Sequence, residues 1–294
     1  MNEVKRICFI GLGTMGLPMT QRLQDQGFDV AAWDLSTAAG AELKGRCSSL
    51  SQAAEGADYL ITMLPEGRHV AEVHKAVQGM AGPARRIFID CSTIDVTTTR
   101  HLAEKAAAHG LGFVDAPVSG GAEGARAGAL SFMTGGDGAD VERVKPVLAA
   151  MGTKVLHFGT AGSGQAAKAC HNMICGITAL AVCESFALAD ALDLDPQKFF
   201  DLCKGAAAQS WILENRCPVP GLTPDAPSSK AYAPGFAARL MAKDLGLAQE
   251  AAQAAGQATP FGAEAARRFG DYVADADAGK LDFSAIYRTI RQGG

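Results

Sequence analysis

The chain has 294 residues, enough for one large domain or two ordinary ones. Its 48% hydrophobic and 20% charged residues exclude an intrinsically disordered chain. A formal net charge of −4 and the lack of a basic run argue against nucleic acid or an anionic membrane as a partner.

The first half alternates apolar runs with helical patterns. The predicted strands are 7–11, 28–34, 59–64, 86–91, 111–117, 131–136 and 154–159. The predicted helices between them are 14–26, 37–44, 68–78, 96–108 and 139–150. Strands that are apolar on both faces and alternate with helices predict an α/β fold with a doubly wound, largely parallel sheet.

The pattern changes near residue 162. A long helical periodicity covers 164–192, shorter helical segments follow it, and no convincing strand remains. Residues 214–235 are rich in Pro, Gly and Ser and are predicted to form a long functional or mobile loop. We therefore expect an α/β domain over residues 1–162 and an all-α domain over 163–294.

The cysteines and the N-terminal residues indicate the cellular compartment in which the protein is expected. Eight cysteines without a CxxC pair indicate reduced, structural thiols. MNEVKR leads directly into ICFIG, which leaves no room for a signal peptide. The longest uncharged stretch, near 172–183, is too short to span a bilayer. We expect a cytoplasmic protein without a membrane partner.

The motif GLGTMG lies between the first predicted strand and the first helix. In that context its glycines allow a tight turn, close approach of a pyrophosphate and tight packing of the helix on the strand. An ordinary structural turn is the alternative. The predicted cofactor-binding residues are Gly11, Leu12, Gly13, Thr14, Met15 and Gly16.

Asp34 ends the second predicted strand, where an acidic side chain would accept hydrogen bonds from ribose hydroxyls. Its carboxylate would repel a 2′-phosphate, so the predicted cofactor is NAD and not NADP. The alternative is a loop aspartate that caps the next helix.

The segment GSGQAAKACHNMICG, residues 162–176, opens the long helix. It carries Lys168 and, four positions later, Asn172. Residues i and i+4 share one face of a helix, so both polar groups point into the same space. A solvent-exposed surface lysine is the ordinary explanation of Lys168. Other features of the sequence are needed to favour a functional role.

Several segments resemble the β-hydroxyacid dehydrogenase family over nearly the whole chain. They are GLGTMGLPM, TMLP, DCSTID, DAPVSGGAEGARAGALSFMTGG and GSGQAAKACHNM. In the second half, CPVPG, Gly235–Phe236 and LMAKDLGLAQ resemble the 3-hydroxyisobutyrate dehydrogenases in particular. The resemblance implies a Rossmann-type domain, NAD as cofactor, a small 3-hydroxy acid as substrate and a homodimer or homotetramer.

The resemblance also implies roles for matching residues. Lys168 matches the catalytic lysine and Asn172 its amide partner. A lysine can move the hydroxyl proton when burial and nearby positive charge lower its pKa from about 10.4 toward the working pH. The other implied roles are substrate binding for Ser119, Gly120, Gly121 and Lys243, and cofactor binding for Leu64, Pro65, His69, Thr93 and Lys243.

Two positions depart from the family pattern. The family writes K-x-x-N-N, and here His171 replaces the first Asn. His69 stands where the hydroxyisobutyrate enzymes often have Asn. We expect His171, about 100° around the helix from Asn172, to affect substrate preference or packing without exchanging a proton in the reaction.

Two alternatives remain at this point. One is the reduction of another semialdehyde, such as tartronate semialdehyde, or of an imine. The other is a non-catalytic dinucleotide-binding protein, although that reading predicts loss of Lys168 or of the Ser-Gly-Gly segment. Asp115, Asp244 and Trp211 are taken as structural or pocket-lining residues. The six histidines show no metal-ligand spacing and no GxSxG element is present, so neither a metal nor a serine nucleophile is predicted.

Overall fold

The computed structural model describes residues 5–80, 82–83 and 86–293. Residues 1–4, part of the segment that argues against a signal peptide, lie outside this range. The chain divides into two compact units, Met1–Lys168 and Ala169–Gly294. The boundary predicted at residue 162 stays a prediction, and each unit is described by itself below.

The first unit is built on a sheet of eight strands. In the order β2-β1-β3-β4-β5-β7-β6 each strand is hydrogen-bonded to the next, and β8 pairs with β7. The strands are β1 (Arg6–Ile10), β2 (Asp29–Trp33), β3 (Tyr59–Thr62), β4 (Ile87–Asp90), β5 (Gly112–Asp115), β6 (Val118–Ser119), β7 (Leu130–Gly136) and β8 (Gly152–Gly159).

Helices follow most of these strands, as the alternating pattern predicts. They are α1 (Gly16–Asp25), α2 (Leu50–Ala54), α3 (Gly67–Val77), α4 (Val96–Ala108), α5 (Gly121–Ala127) and α6 (Gly138–Met151). The short helices α2 and α5 and the two-residue strand β6 were not predicted, because each is too short to show a hydrophobic period.

Both faces of the sheet are buried. Along β1, Ile7 and Phe9 belong to one hydrophobic core, and Cys8 and Ile10 belong to another. Alternate side chains of a strand point to opposite faces, so a continuous apolar run is what a sheet covered on both sides requires. The predicted doubly wound α/β fold is confirmed.

The sheet is mixed and not uniformly parallel. Strands β1 to β5 pair in parallel, whereas β7 runs antiparallel to both β5 and β6 and parallel to β8. The chain reverses direction through the short segment between β5 and β7, where β6 and α5 replace a full crossover helix. An antiparallel neighbour needs no long crossover connection.

The helix predicted over 37–44 is wrong. These residues form successive turns, with Gly40 and Gly45 at φ values of +64° and +78°. The Arg46 guanidinium donates to four backbone carbonyls of this coil, those of Asp34, Ser36, Ala39 and Cys47, at 2.6–3.1 Å. These bonds hold the coil in place of a helix.

The second unit is helical. It contains most of α7 (Ser163–Ala191), which begins in the first unit, followed by α8 (Pro196–Cys203), α9 (Trp211–Arg216), α10 (Ala238–Ala254), α11 (Pro260–Tyr272) and α12 (Tyr287–Arg291). No strand occurs in residues 169–293, and the predicted all-α character is confirmed for that described range.

The predicted loop over 214–235 is mostly irregular but contains the end of α9 and a 3₁₀ turn at Pro227–Lys230. Hydrogen bonds from side chains to backbone carbonyls stabilise this segment internally. The Ser228 hydroxyl donates to the Cys217 carbonyl at 2.6 Å, and the Tyr232 hydroxyl donates to the Pro218 carbonyl at 2.8 Å.

Helix α7 is long and apolar enough to cross a membrane by length and composition alone. Its most apolar 18-residue window has a mean hydropathy of 1.6, and 39% of that window is buried inside the structure. The expectation of no membrane-spanning stretch considered only residues 172–183. A single helix of this kind is weak evidence for a membrane, because core helices of soluble proteins have the same composition.

Candidate active site and cofactor-binding loops

The predicted cofactor residues of the first unit follow the carboxyl ends of neighbouring parallel strands. Strand β1 pairs with β2 on one side and β3 on the other, so the strand order reverses at β1. Ligands of doubly wound sheets bind at such a switch point. The glycine loop follows β1, Asp34 follows β2, Leu64 and Pro65 follow β3, His69 lies in the first turn of α3, and Thr93 follows β4.

The glycine loop has the shape that a dinucleotide requires. Gly11 has a φ of +97°, and a Cβ at Gly16 would collide with the Gly11 carbonyl, so α1 packs closely on the turn. A Cβ at Gly13 would meet no described atom within 4 Å, which leaves open space for a pyrophosphate. The Leu17 and Met19 amides of α1 donate to the Gly13 and Met15 carbonyls, at 3.1 and 3.2 Å, so a phosphate would meet the backbone of the loop and the positive end of the helix dipole.

Asp34 joins the end of β2 to the glycine loop. Its Oδ2 accepts from the Leu12 amide and its Oδ1 from the Ser36 amide, both at 2.7 Å. An ionised carboxylate has about four acceptor positions, so these two bonds leave capacity for ribose hydroxyls. The residues present fit NAD, which would accept the hydride when bound.

The loops after β3 and β4 are linked by one hydrogen-bond network. The Thr62 hydroxyl donates to Asp90 Oδ1 at 2.8 Å, and the Ser92 amide donates to the same oxygen at 3.1 Å. The Ser92 hydroxyl in turn accepts from the Leu64 amide at 2.9 Å. The network fixes the backbone beside Leu64, Pro65 and Thr93.

Asp90 is fully buried in this network. Its pKa is raised to about 6, mainly by burial and to a lesser extent by the nearby Asp115 carboxylate, while the bonds from Ser92 and Thr62 oppose the shift. Asp90 Oδ2 is buried without a hydrogen-bond partner among the described residues. The loops after β3 and β4 therefore enclose a carboxyl group whose pKa lies well above the usual range of an aspartate.

The start of α7 is anchored to the sheet. The carboxylate of Asp115, at the end of β5, accepts from the Gly162 and Gln165 amides at 2.8 and 2.9 Å. The Gln165 side chain donates to the Ser92 carbonyl at 2.8 Å and accepts from the Ile94 amide at 3.2 Å. These bonds tie the helix that carries Lys168 to the loop after β4.

Lys168 is buried, which excludes the surface lysine. Its side chain is 7% exposed, and its Nζ donates to the Val118 carbonyl at 2.8 Å. Val118 directly precedes Ser119, Gly120 and Gly121, so the structure brings the amine to the predicted substrate-binding segment. Gly120 and Gly121 have φ values of +132° and +62°, a conformation that glycine adopts without strain.

In the second unit the Asn172 amide is buried between two polar side chains. Its Nδ2 donates to Asp244 Oδ2 at 2.5 Å, and its Oδ1 lies 2.8 Å from His171 Nδ1. Gly176, one turn further along α7, allows α10 to approach, because a Cβ there would lie 2.7 Å from the Leu245 side chain. Lys243 lies beside Asp244, with Nζ 3.6 Å from Oδ1.

Sequence reasoning missed the contacts of two residues. The sequence predicts a structural or pocket-lining Asp244, and in the structure its carboxylate accepts a hydrogen bond from the Asn172 amide. Gln165 was not considered, and its position one turn before Lys168 is the signal that could have found it. The roles assigned to Lys243, His69 and the other site residues stay predictions.

The titratable side chains offer no metal centre in the described part of the chain. No three His, Cys, Asp or Glu side chains come together there, and no disulfide bond forms among those residues.

Two family models cover the chain. Residues 6–159 match the NAD binding domain of 6-phosphogluconate dehydrogenase, and residues 162–290 match the NAD-binding domain of NADP-dependent 3-hydroxyisobutyrate dehydrogenase.

Relatives and solved structures agree with these matches. The chain is 44% identical to 3-hydroxyisobutyrate dehydrogenase of Pseudomonas aeruginosa, over 97% of this chain and 98% of that one. It is 40% identical to NAD-dependent L-serine dehydrogenase of the same organism, over 88% and 89%. A structure of Mycobacterium tuberculosis 3-hydroxyisobutyrate dehydrogenase with L-serine has a TM-score of 0.92 and 42% identity, covering 98% of this chain and 100% of that one.

Three findings point to the same family. They are a glycine loop shaped for a dinucleotide, a buried lysine beside a Ser-Gly-Gly segment, and relatives at this identity over the full length of the chain. The chain belongs to the NAD-binding 3-hydroxyisobutyrate dehydrogenase family.

Proposed function

We propose that this protein oxidises 3-hydroxyisobutyrate to methylmalonate semialdehyde with NAD, a step of valine degradation. The observation that carries the proposal is the buried Lys168 amine, 2.8 Å from the carbonyl of Val118 and next to the Ser-Gly-Gly segment. The names of full-length relatives support the choice of acid.

Each residue has a defined task in the reaction. Ser119 and the backbone amides of Gly120 and Gly121 bind the substrate carboxylate. The neutral Lys168 amine takes the proton of the C3 hydroxyl, and NAD, held by the glycine loop and Asp34, would supply the acceptor for the hydride of C3. In the reverse direction the Lys168 ammonium returns that proton to the aldehyde oxygen. Asn172 donates to the same oxygen and steadies its developing charge.

L-serine is the second candidate substrate. It differs from 3-hydroxyisobutyrate by an ammonium group in place of a methyl group, and it appears in the descriptions of two relatives of this chain. The reduction of tartronate semialdehyde remains a further alternative within the same chemistry.

A panel of substrates with NAD tests the proposal. It contains both enantiomers of 3-hydroxyisobutyrate, L-serine and D-glycerate, and NADH formation is followed. The highest kcat/KM is expected for one enantiomer of 3-hydroxyisobutyrate. A higher value for L-serine or glycerate would move the assignment to that acid. NAD binding without turnover of any acid would favour the non-catalytic alternative.

We also propose that the protein is a homodimer or homotetramer. Ile174 and Leu188 on α7 are 65% and 61% exposed and lie about four turns apart on the same side of the helix. Burial of such a stripe against a second copy would remove apolar surface from water. Light scattering at micromolar concentration should give a multiple of 30.4 kDa, and Ile174→Glu should lower that mass. A monomeric wild-type protein would contradict the proposal.

A further inference from the structure

His171 contacts its own neighbour in the chain. Its Nδ1 lies 2.8 Å from Oδ1 of Asn172, although adjacent side chains on a helix diverge by about 100°. The His171 side chain is on the exposed side of α7, whereas Asn172 is 4% exposed. The imidazole therefore reaches back along the helix to a buried amide.

Asp244 determines which way the Asn172 amide points. An ionised carboxylate only accepts hydrogen bonds, so the Asn172 atom that faces Asp244 Oδ2 has to be Nδ2. The positive charge of Lys243, 3.6 Å from Oδ1, favours the ionised form of Asp244. A flipped amide would place its carbonyl oxygen against the carboxylate, which is repulsive.

The direction of the amide in turn determines the tautomer of His171. With Nδ2 toward Asp244, Oδ1 faces the imidazole, and an oxygen acceptor needs a donor there. His171 Nδ1 therefore carries a proton, in the neutral as well as in the charged ring. The hydrogen bond at one ring nitrogen decides which tautomer is present.

We propose that His171 is a positioning residue for Asn172. In its Nδ1–H form it donates to Oδ1 of Asn172, while Asp244 accepts one N–H of Nδ2 from the other end of the amide. The second N–H of Nδ2 is left for the substrate oxygen. Held at both ends, the amide keeps this orientation throughout turnover. The role of Asn172 toward substrate rests on the proposed function.

Two substitutions separate the donor from the shape of the ring. His171→Phe keeps a planar ring of similar size and loses the donor, so kcat should fall roughly tenfold with little change in the Kd for NAD. His171→Asn restores an N–H donor and should keep kcat within about threefold of wild type, with a changed KM. His101→Phe removes an exposed histidine of α4, whose side chain is 61% exposed, and should leave both parameters unchanged.

The wild-type protein provides a measurement that needs no variant. Nitrogen-15 NMR of histidine-labelled protein, with His171 assigned by its absence from the Asn variant, should show a protonated Nδ1 at neutral pH. A purely structural histidine would not require this tautomer.

The outcomes are distinct. Wild-type kcat in a folded His171→Phe variant, or an Nε2–H tautomer in the wild-type protein, would overturn the inference. Loss of turnover in folded His171→Asn would overturn it too, because the imidazole would then take part in the chemistry. If the wild-type protein oxidises no hydroxy acid, the proposed function fails, and the tautomer measurement still tests the contact with Asn172.

Discussion

Lys168 has the surroundings of a proton-transfer group. Its side chain is 7% exposed, and burial disfavours the ammonium form because a charge is poorly solvated inside a protein. The bond from Nζ to the Val118 carbonyl, 2.8 Å long, holds the amine beside the predicted substrate-binding segment. A buried amine held in a fixed position meets the geometric requirement for general acid–base catalysis.

Lys168→Ala should lower kcat by roughly 10²–10⁴, the usual range for loss of a positioned acid or base. Lys168→Arg should be nearly as slow, because a guanidinium keeps its proton and cannot act as the base. Stopped-assay kinetics and an NAD-binding titration on both variants measure the effect. The Kd for NAD should stay near the wild-type value, since the glycine loop and Asp34 are unchanged.

A folded Arg variant with near-normal turnover would remove Lys168 from the chemistry. Lys145→Ala, at an exposed lysine of α6 paired with Glu142, is the matched control and should leave kcat unchanged.

The residues of the site were predictable where a motif or a helix period carried them. Lys168 and Asn172 share a helix face, and that spacing is visible in the sequence. The bonds of Asn172 were not predictable, because Asp244 lies 72 positions away and meets it only after α7 and α10 have packed. The contact between His171 and Asn172 was not predictable either, because residues i and i+1 of a helix ordinarily do not meet.

At the scale of elements, the coil after β2 shows how one side chain can replace a helix. The backbone of Arg46 pairs with that of Ala32 in β2, and the Arg46 guanidinium donates to the carbonyls of Asp34 and Ala39 in the coil. One of these carbonyls is that of Asp34, the predicted ribose-binding residue. Arg46 thus fixes the main chain of Asp34 through a hydrogen bond to its carbonyl.

Arg46→Met should weaken NAD binding roughly tenfold, because the side chain keeps its length and loses every donor to the coil. The wild-type protein should prefer NAD to NADP in kcat/KM, since the Asp34 carboxylate repels a 2′-phosphate. Titration and steady-state kinetics with both cofactors check the two statements.

Arg267→Met, at an exposed arginine of α11, is the control and should bind NAD normally. An unchanged Kd in Arg46→Met would show that the coil holds without the guanidinium. A wild-type preference for NADP would contradict the role given to Asp34.

Secondary structure was predictable from the sequence for most strands but not for this coil. Strands β1 and β4 contain unbroken apolar runs, ICFI in β1 and IFI in β4, and were predictable from composition. Residues 37–44 contain helix-forming Ala, Glu, Leu and Lys, but Arg46, which lies outside the window, donates to the Ser36 and Ala39 carbonyls that a helix would use. The antiparallel direction of β7 was equally invisible, because the pattern of a strand does not encode the direction of its neighbour.

For the whole molecule, buried titratable groups make stability depend on pH. His74 on α3 is 1% exposed, packs edge-on against Phe88 and has its pKa lowered by burial to about 4. An unfolded histidine binds a proton below about pH 6.5, and the folded one resists it until about pH 4. Its contribution to stability is therefore present above pH 6.5 and is lost as the pH falls toward 4.

Asp90 acts in the opposite direction. Its pKa of about 6 lies above that of an unfolded aspartate, so the folded state binds the extra proton and gains stability as the pH falls from 6 toward 4. The pH dependences of stability that His74 and Asp90 contribute partly cancel in the wild-type protein. A variant that removes one of the two groups reveals the contribution of the other.

Urea unfolding of wild type and His74→Leu at pH 7 and pH 5 measures this balance. The free energy of unfolding of wild type, relative to the variant, should fall by about 2 kcal/mol between the two pH values. Comparison at each pH removes any constant cost of the substitution. A difference that does not change with pH would mean that His74 titrates normally in the folded state.

Helix α7 is continuous across the division of the chain, which falls between Lys168 and Ala169. A recombination junction at that division would take Lys168 from one parent and Asn172 from the other, inside a single turn of helix. Lys168 of one parent would then face Asn172 and residue 171 of the other parent. A junction at the predicted boundary, Gly162, would instead lie before α7 begins, so Lys168 and Asn172 would come from the same parent.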